Sequence, residues 1–100
     1  MVRQVIWSLR AQKDKKEILE YWIKRNKSKS YSIKLNELFK ESTKIISDYP
    51  QIGKLTNEKN VRVKIVRDYL LFYEVTENHI FVLTIWDSRQ DPDKLQVISV

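Results

Sequence analysis

The chain of 100 residues contains no cysteine, one glycine, two prolines and one histidine. Without thiols, neither a disulfide framework nor a thiolate zinc site can hold the fold, and secretion is not suggested by that route. One histidine among scattered carboxylates does not give metal-ligand spacing, so no metal and no other cofactor is expected. No run of about 18 apolar residues is present to span a bilayer, and the opening MVRQVIW lacks the apolar stretch and small-residue cleavage site of a signal peptide. The expectation is a cytoplasmic protein with no membrane partner. At this length one modest core fits, so residues 1–100 are read as one domain.

Charge is plentiful and unevenly placed. The net charge is +6, with 17 Lys and Arg against 7 Asp and Glu over residues 1–67, and 2 against 6 over residues 68–100. A basic domain invites an acidic partner, such as nucleic acid, an acidic protein or an anionic surface; lysines that merely solvate helix faces are the competing explanation.

Hydrophobic periodicity orders the chain. Arg3 to Trp7 alternates in a way that suits a short first strand, which should join the later ones. Ser8 is a good N-cap for a helix running to about Arg25, with Ala11, Ile18, Leu19, Trp22 and Ile23 as its apolar stripe and Lys13, Lys16, Glu17, Glu20 and Lys24 facing out. Lys24 to Ser30 has no apolar residue and two candidate caps, Ser28 and Ser30, so it reads as the exposed tip of a helical hairpin carrying Lys24, Arg25, Lys27 and Lys29. From about Tyr31 to Asp48 helical spacing returns through Leu35, Leu38, Phe39, Ser42, Ile45 and Ile46, and Pro50 requires a stop at or before Tyr49. The segment from Pro50 to Asn60 is irregular; it holds the lone glycine, Gly53, whose place there suggests φ > 0 or a close backbone approach.

The stretch from Val61 to Pro92 has the most regular pattern and the densest polar chemistry. It reads as a three-stranded antiparallel meander: Val61 to Val66, a turn at Arg67-Asp68, Tyr69 to Thr76, a turn at Glu77-Asn78, and His79 to Asp87. The third strand should be the central or most buried one. Alternation sends Val61, Val63 and Ile65 toward the packed face, and Arg62 and Lys64 to a free face. If the last strand stays extended, Asp87, Arg89 and Asp91 fall on one side, either as part of a charged floor or as an ion-pair cluster closing the sheet end. The organisation is α+β: strand, helical hairpin, loop, meander, with the hairpin packed on one face of the sheet.

These residues resemble a known family. VRVKIVRDYLLFYEV followed by IFVLTIWDSRQDPDKL is similar to the signature stretches of the RelE/ParE superfamily of bacterial type II toxins. So are a first strand ending in Trp7-Ser8, the helical hairpin and the YPQIGK loop at Tyr49 to Lys54. The order of a Pro-x-x-Gly loop, an Arg-x-Tyr-x-x-x-Tyr run (Arg67, Tyr69, Tyr73) and an Arg-x-Asp-Pro ending (Arg89, Asp91, Pro92) carries the likeness over nearly the whole chain. The resemblance implies a β-α-α-β-β-β fold and a growth-inhibiting toxin of plasmid or chromosomal maintenance, neutralised by a cognate antitoxin encoded beside it.

The superfamily divides by activity. Its RelE-like branch cleaves mRNA on the ribosome, and its ParE-like branch inhibits DNA gyrase. Metal-free RNA cleavage needs a proton acceptor, a proton donor and cations facing the developing phosphorane charge. Here Arg62, Lys64, Arg67 and Arg89 are the candidate cations flanking one groove, Tyr73 the candidate acid, and Glu74 and Asp87 the candidate bases. No tyrosine follows Tyr73, the sole histidine, His79, stands at a strand start, and the tail offers only Ser99. The ParE-like reading needs only a surface, and its candidates are Trp22, Lys24, Arg25, Tyr69, Asp87, Arg89 and Asp91. Tyr31 and Tyr73 are further aromatics set against charge; Trp22, in the apolar stripe, also suits core packing. The DSRQDP ending and the long hairpin are nearer to the ParE-like branch. A third reading is an inactive homologue that acts only through antitoxin-linked transcriptional regulation.

Overall fold

The computed structural model of the chain describes residues 3–90. In chain order it has β1 (Gln4–Trp7), α1 (Leu9–Asn26), α2 (Ser30–Asp48), β2 (Lys54–Leu55), β3 (Val61–Val66), β4 (Tyr69–Val75) and β5 (His79–Asp87). The sheet order is β1-β5-β4-β3-β2, with β1 parallel to β5 and every other pair antiparallel. The meander expected from Val61 onward is present, and β1 joins it at the β5 side. In the arrangement of strands, two details differ from the sequence reading. β4, not β5, is the middle strand, and the segment after Pro50 contributes a two-residue strand, β2, too short to leave a periodic signal.

Both ends of α1 are set by local chemistry. Ser8 has extended backbone (φ −64°, ψ 161°), and its hydroxyl accepts from the Ala11 N–H at 3.0 Å. The same hydroxyl donates to the Leu83 carbonyl at 2.9 Å, tying the start of the helix to β5. Ala11 is fully buried, so its small side chain lets α1 lie close on the sheet. The helix ends where Lys27 turns to φ 52°. α2 buries Leu35, Phe39 and Ile46, each worth roughly 1.5–3 kcal/mol of transfer free energy. It also buries Ser32, whose hydroxyl donates to the Leu19 carbonyl at 3.1 Å and joins the two helices. Its last bond runs from the Tyr49 N–H to the Ile45 carbonyl, one residue before Pro50, as the proline requires.

Toward the helices β3 presents the reverse of the expected face, although Val61 is buried on the other face as expected, 6% exposed, together with Phe72 at 4%. Arg62, Lys64 and Val66 stand opposite Tyr73, Leu71 and Tyr69 of β4. Those three β4 residues belong to the core with Leu35, Phe39 and Ile46 of α2, and Val66 joins them. Val63 and Ile65 therefore turn with Phe72 and Leu70 to the other face, and Ile65 is 60% exposed against 5% for Val66. Between β4 and β5 the register shifts: Phe72 faces Thr84 but Tyr73 faces Val82, leaving Leu83 as an extra residue. At this bulge the Thr84 hydroxyl donates to the Asp14 carboxylate of α1, and the Ile85 N–H donates to the same oxygen at 3.3 Å.

Candidate functional site

Four of the candidate residues meet where α1 passes the end of β5. Tyr69, the first residue of β4, pairs across the ladder with Asp87, the last residue of β5. Its ring meets Phe39 edge-on at 5.9 Å, and its hydroxyl accepts from the Trp22 indole N–H at 2.7 Å. Burial pushes the Tyr69 phenol above its ordinary value, with the Trp22 bond acting in the opposite direction. Trp22 is itself held edge-on by Tyr21 at 5.1 Å and Tyr31 at 4.9 Å. It thus packs on the core and holds the Tyr69 hydroxyl in place.

Asp87 is clasped by Arg89. The Arg89 Nε donates to Oδ1 at 3.0 Å, Nη2 to Oδ2 at 2.8 Å and the backbone N–H to Oδ1 at 2.9 Å. These bonds hold the Asp87 carboxyl below the usual carboxylate range and raise the Arg89 guanidinium. The strand does not stay extended past Asp87, because the Gln90 N–H donates back to the Asp87 carbonyl at 3.0 Å, and Ser88 bonds the Asp68 carbonyl through both its N–H and its hydroxyl. Asp91 lies outside the described residues. Beside this pair opens a groove of about 550 Å³, walled by Asp14, Glu17, Ile18, Tyr21, Trp86 and the Asp87–Arg89 pair. The buried Trp86 indole N–H has no acceptor among the described residues.

A second constellation lies at the far end of β3 and β4. Tyr73 is fully buried; its hydroxyl donates to the Pro50 carbonyl at 2.8 Å and accepts from the Gly53 N–H at 2.9 Å. Arg62, opposite Tyr73, donates through Nη1 to the Gly53 carbonyl at 2.8 Å and to the Gln51 carbonyl at 3.2 Å. Burial raises the Tyr73 phenol. These groups latch the loop after α2 onto the sheet, and a tyrosine enclosed in this way has no open path for handing a proton to a substrate.

The candidate cations do not flank one groove. Arg62 and Val66 are four strand positions apart, about 13 Å, and Val66 is the residue that faces Tyr69. Lys64 is half-buried between them, Arg67 sits at φ 58° in the exposed turn before Tyr69, and Arg89 is committed to Asp87. Lys24 and Arg25 are exposed in the last turn of α1. His79 stacks on Phe81 with ring centres 5.6 Å apart, and its backbone closes the β4–β5 turn with Thr76. Sequence reasoning missed Asp14 and Thr84. The available signal was a threonine inside the apolar run IFVLTIW, whose buried hydroxyl needs an acceptor.

Comparison with known proteins follows the same lines. A family model described as the ParE toxin of the type II toxin-antitoxin system, parDE, matches residues 5–92. The chain belongs to the ParE toxin family. A solved structure titled "Chromosomal ParDE TA system from P. aeruginosa" is similar to it with a TM-score of 0.75 and 16% identity, covering 86% of this chain and 96% of that one. No curated protein matches. The family match runs from within β1 to past the end of β5 of this ParE toxin fold, so the groove at Asp87 and the loop latch at Tyr73 both lie within it. No helix among the described residues is long and apolar enough to cross a membrane.

Proposed function

We propose that this ParE-family chain is a cytoplasmic toxin that stops growth by binding a protein target, DNA gyrase, and that a cognate antitoxin neutralises it. The observation that carries this reading is the dispersal of the candidate catalytic groups. Tyr73 and Arg62 hold a loop at one end of β3 and β4, while Arg67 lies in the turn at the other end, where Arg89 is paired with Asp87, so the candidates are divided between two places. The groove beside Asp87 instead combines the aromatic walls of Tyr21, Tyr69 and Trp86 with one carboxylate–guanidinium pair, a composition suited to a protein interface. An antitoxin segment of amphipathic or acidic character has a natural place along the hairpin or the sheet edge. β2 pairs only with Arg62 and Val63, which leaves the rest of β3 as an edge able to accept a strand.

Pulse labelling of DNA and protein synthesis just after induction without antitoxin tests the target. Early failure of DNA synthesis with translation intact, together with inhibition of purified gyrase, is the expected result. Immediate arrest of translation with replication intact would assign the chain to ribosome-dependent RNA cleavage.

A further inference from the structure

The tip of the helical hairpin carries Lys24, Arg25, Lys27 and Lys29, all exposed, and no carboxylate lies between Tyr21 and Asn36. The only ion pairs among the described residues are Arg10–Asp14 and Arg89–Asp87, so none of the four tip cations is neutralised there. Lys24 and Arg25 have a sufficient structural reason to be present, since cations favour the C-terminal end of a helix. Lys27 and Lys29 have none. Lys27 takes φ 52°, a left-handed position that favours glycine, and Lys29 holds the N-cap of α2 without a side-chain cap bond, a cation at the positive end of a helix whose first turn has no acid. Local rules broken at two positions of one short turn without a structural gain mark a surface kept for something else.

We infer that this tip docks on the phosphate backbone of a nucleic-acid duplex. The surface from Lys24 to Ser30 is free of apolar side chains and interleaves its cations with Asn26, Ser28 and Ser30. An acidic protein partner would require an apolar centre to its interface, which this tip lacks, whereas phosphate contacts are made by Lys, Arg, Ser and Asn. The inference stands on the tip alone and does not depend on the gyrase reading.

The test is binding of the full chain to a labelled random-sequence DNA duplex across a salt series, read by fluorescence anisotropy. The Lys27→Gly/Lys29→Ser double variant should raise the unfolding midpoint, weaken binding at least about tenfold and reduce the slope of log K against log salt by about 1.8. A Lys13→Gln/Lys16→Gln variant, which removes the same charge from the exposed side of α1, should change that slope by less than half as much. Equal losses in the two variants, absent duplex binding, a lowered midpoint in the tip variant, or tighter tip-dependent binding of a poly-glutamate peptide would each overturn the proposal, the last in favour of an acidic protein.

Discussion

Gly53 lies directly against the Tyr73 hydroxyl: its N–H donates to that oxygen at 2.9 Å, and a Cβ at position 53 would stand 2.6 Å from the oxygen and 2.8 Å from the Val63 carbonyl. Its φ is not positive, so close approach rather than backbone freedom accounts for the chain's one glycine. Gly53→Ala is expected to destabilise the fold by about 1–3 kcal/mol, because the Val63 carbonyl among the obstructing atoms is sheet backbone and cannot swing aside. Urea unfolding measures it; a change below about 0.5 kcal/mol would show that the loop relaxes freely.

Tyr73→Phe removes the hydroxyl and leaves the Gly53 N–H and the Pro50 carbonyl without their partner. The expected cost is about 1–3 kcal/mol, with the growth block retained below the lowered unfolding temperature. Loss of toxicity in a variant still folded at the assay temperature would instead make the Tyr73 hydroxyl a chemical participant.

Titration should expose the same two tyrosines. Tyr69 and Tyr73 have phenols raised above 10.0 by burial, so the folded chain keeps protons that the unfolded chain releases, and stability falls as pH rises past about that value. Asp87 works in the opposite direction. Its carboxyl is held below 3.8 by Arg89, so its contribution is complete above that value and is lost as pH falls through the lower folded value. Unfolding midpoints across pH should therefore decline at both extremes, and Tyr73→Phe should flatten the alkaline limb when compared as slopes. An unchanged alkaline slope in that variant would mean that Tyr73 does not govern it.

Much of this architecture is legible in the sequence because single residues announce it. Ser8 announces the start of α1, Pro50 the end of α2, and the polar pairs Arg67-Asp68 and Glu77-Asn78 the two hairpins. The face of β3 is not legible from β3 itself. Three apolar residues, Val61, Val63 and Ile65, argue for one side, but packing is decided by β4, where Tyr69, Leu71 and Tyr73 carry the buried set and draw Val66 inward with them. An amphipathic tyrosine can fill the core while its hydroxyl finds a partner, and alternation alone cannot tell that from a solvent-facing tyrosine. The site is legible only in part for a related reason. The bulge at Leu83 and the turn after Asp87 set which charged groups meet, and neither leaves a periodic trace.

Arg67 offers a separation of roles. It occupies φ 58° in the two-residue turn between Val66 and Tyr69, where an L side chain is strained by about 1–2 kcal/mol and glycine is not. Arg67→Gly should raise stability by about 0.5 kcal/mol once the greater unfolded-state entropy of glycine is counted, and leave the growth block intact. A stable variant that has lost toxicity would return Arg67 to the functional surface.

Arg89→Ala and Arg62→Gln, taken together, decide between a docking surface and a nuclease. Arg89 shapes the groove beside Asp87, so its loss should weaken gyrase inhibition about tenfold, the cost of a single good interface contact, with little change in unfolding midpoint because the pair is solvent-exposed. Arg62 holds the carbonyls of Gln51 and Gly53 far from that groove, so Arg62→Gln should lower stability and leave inhibition of folded protein near its starting value. A ribosome-dependent nuclease would behave differently. Cations facing a developing phosphorane act chiefly in the transition state, so both variants would lose cleavage by orders of magnitude while folded, with cleaved mRNA disappearing from induced cells in each. Only the protein-binding reading expects the two arginines to fail in different assays, one in inhibition and the other in folding.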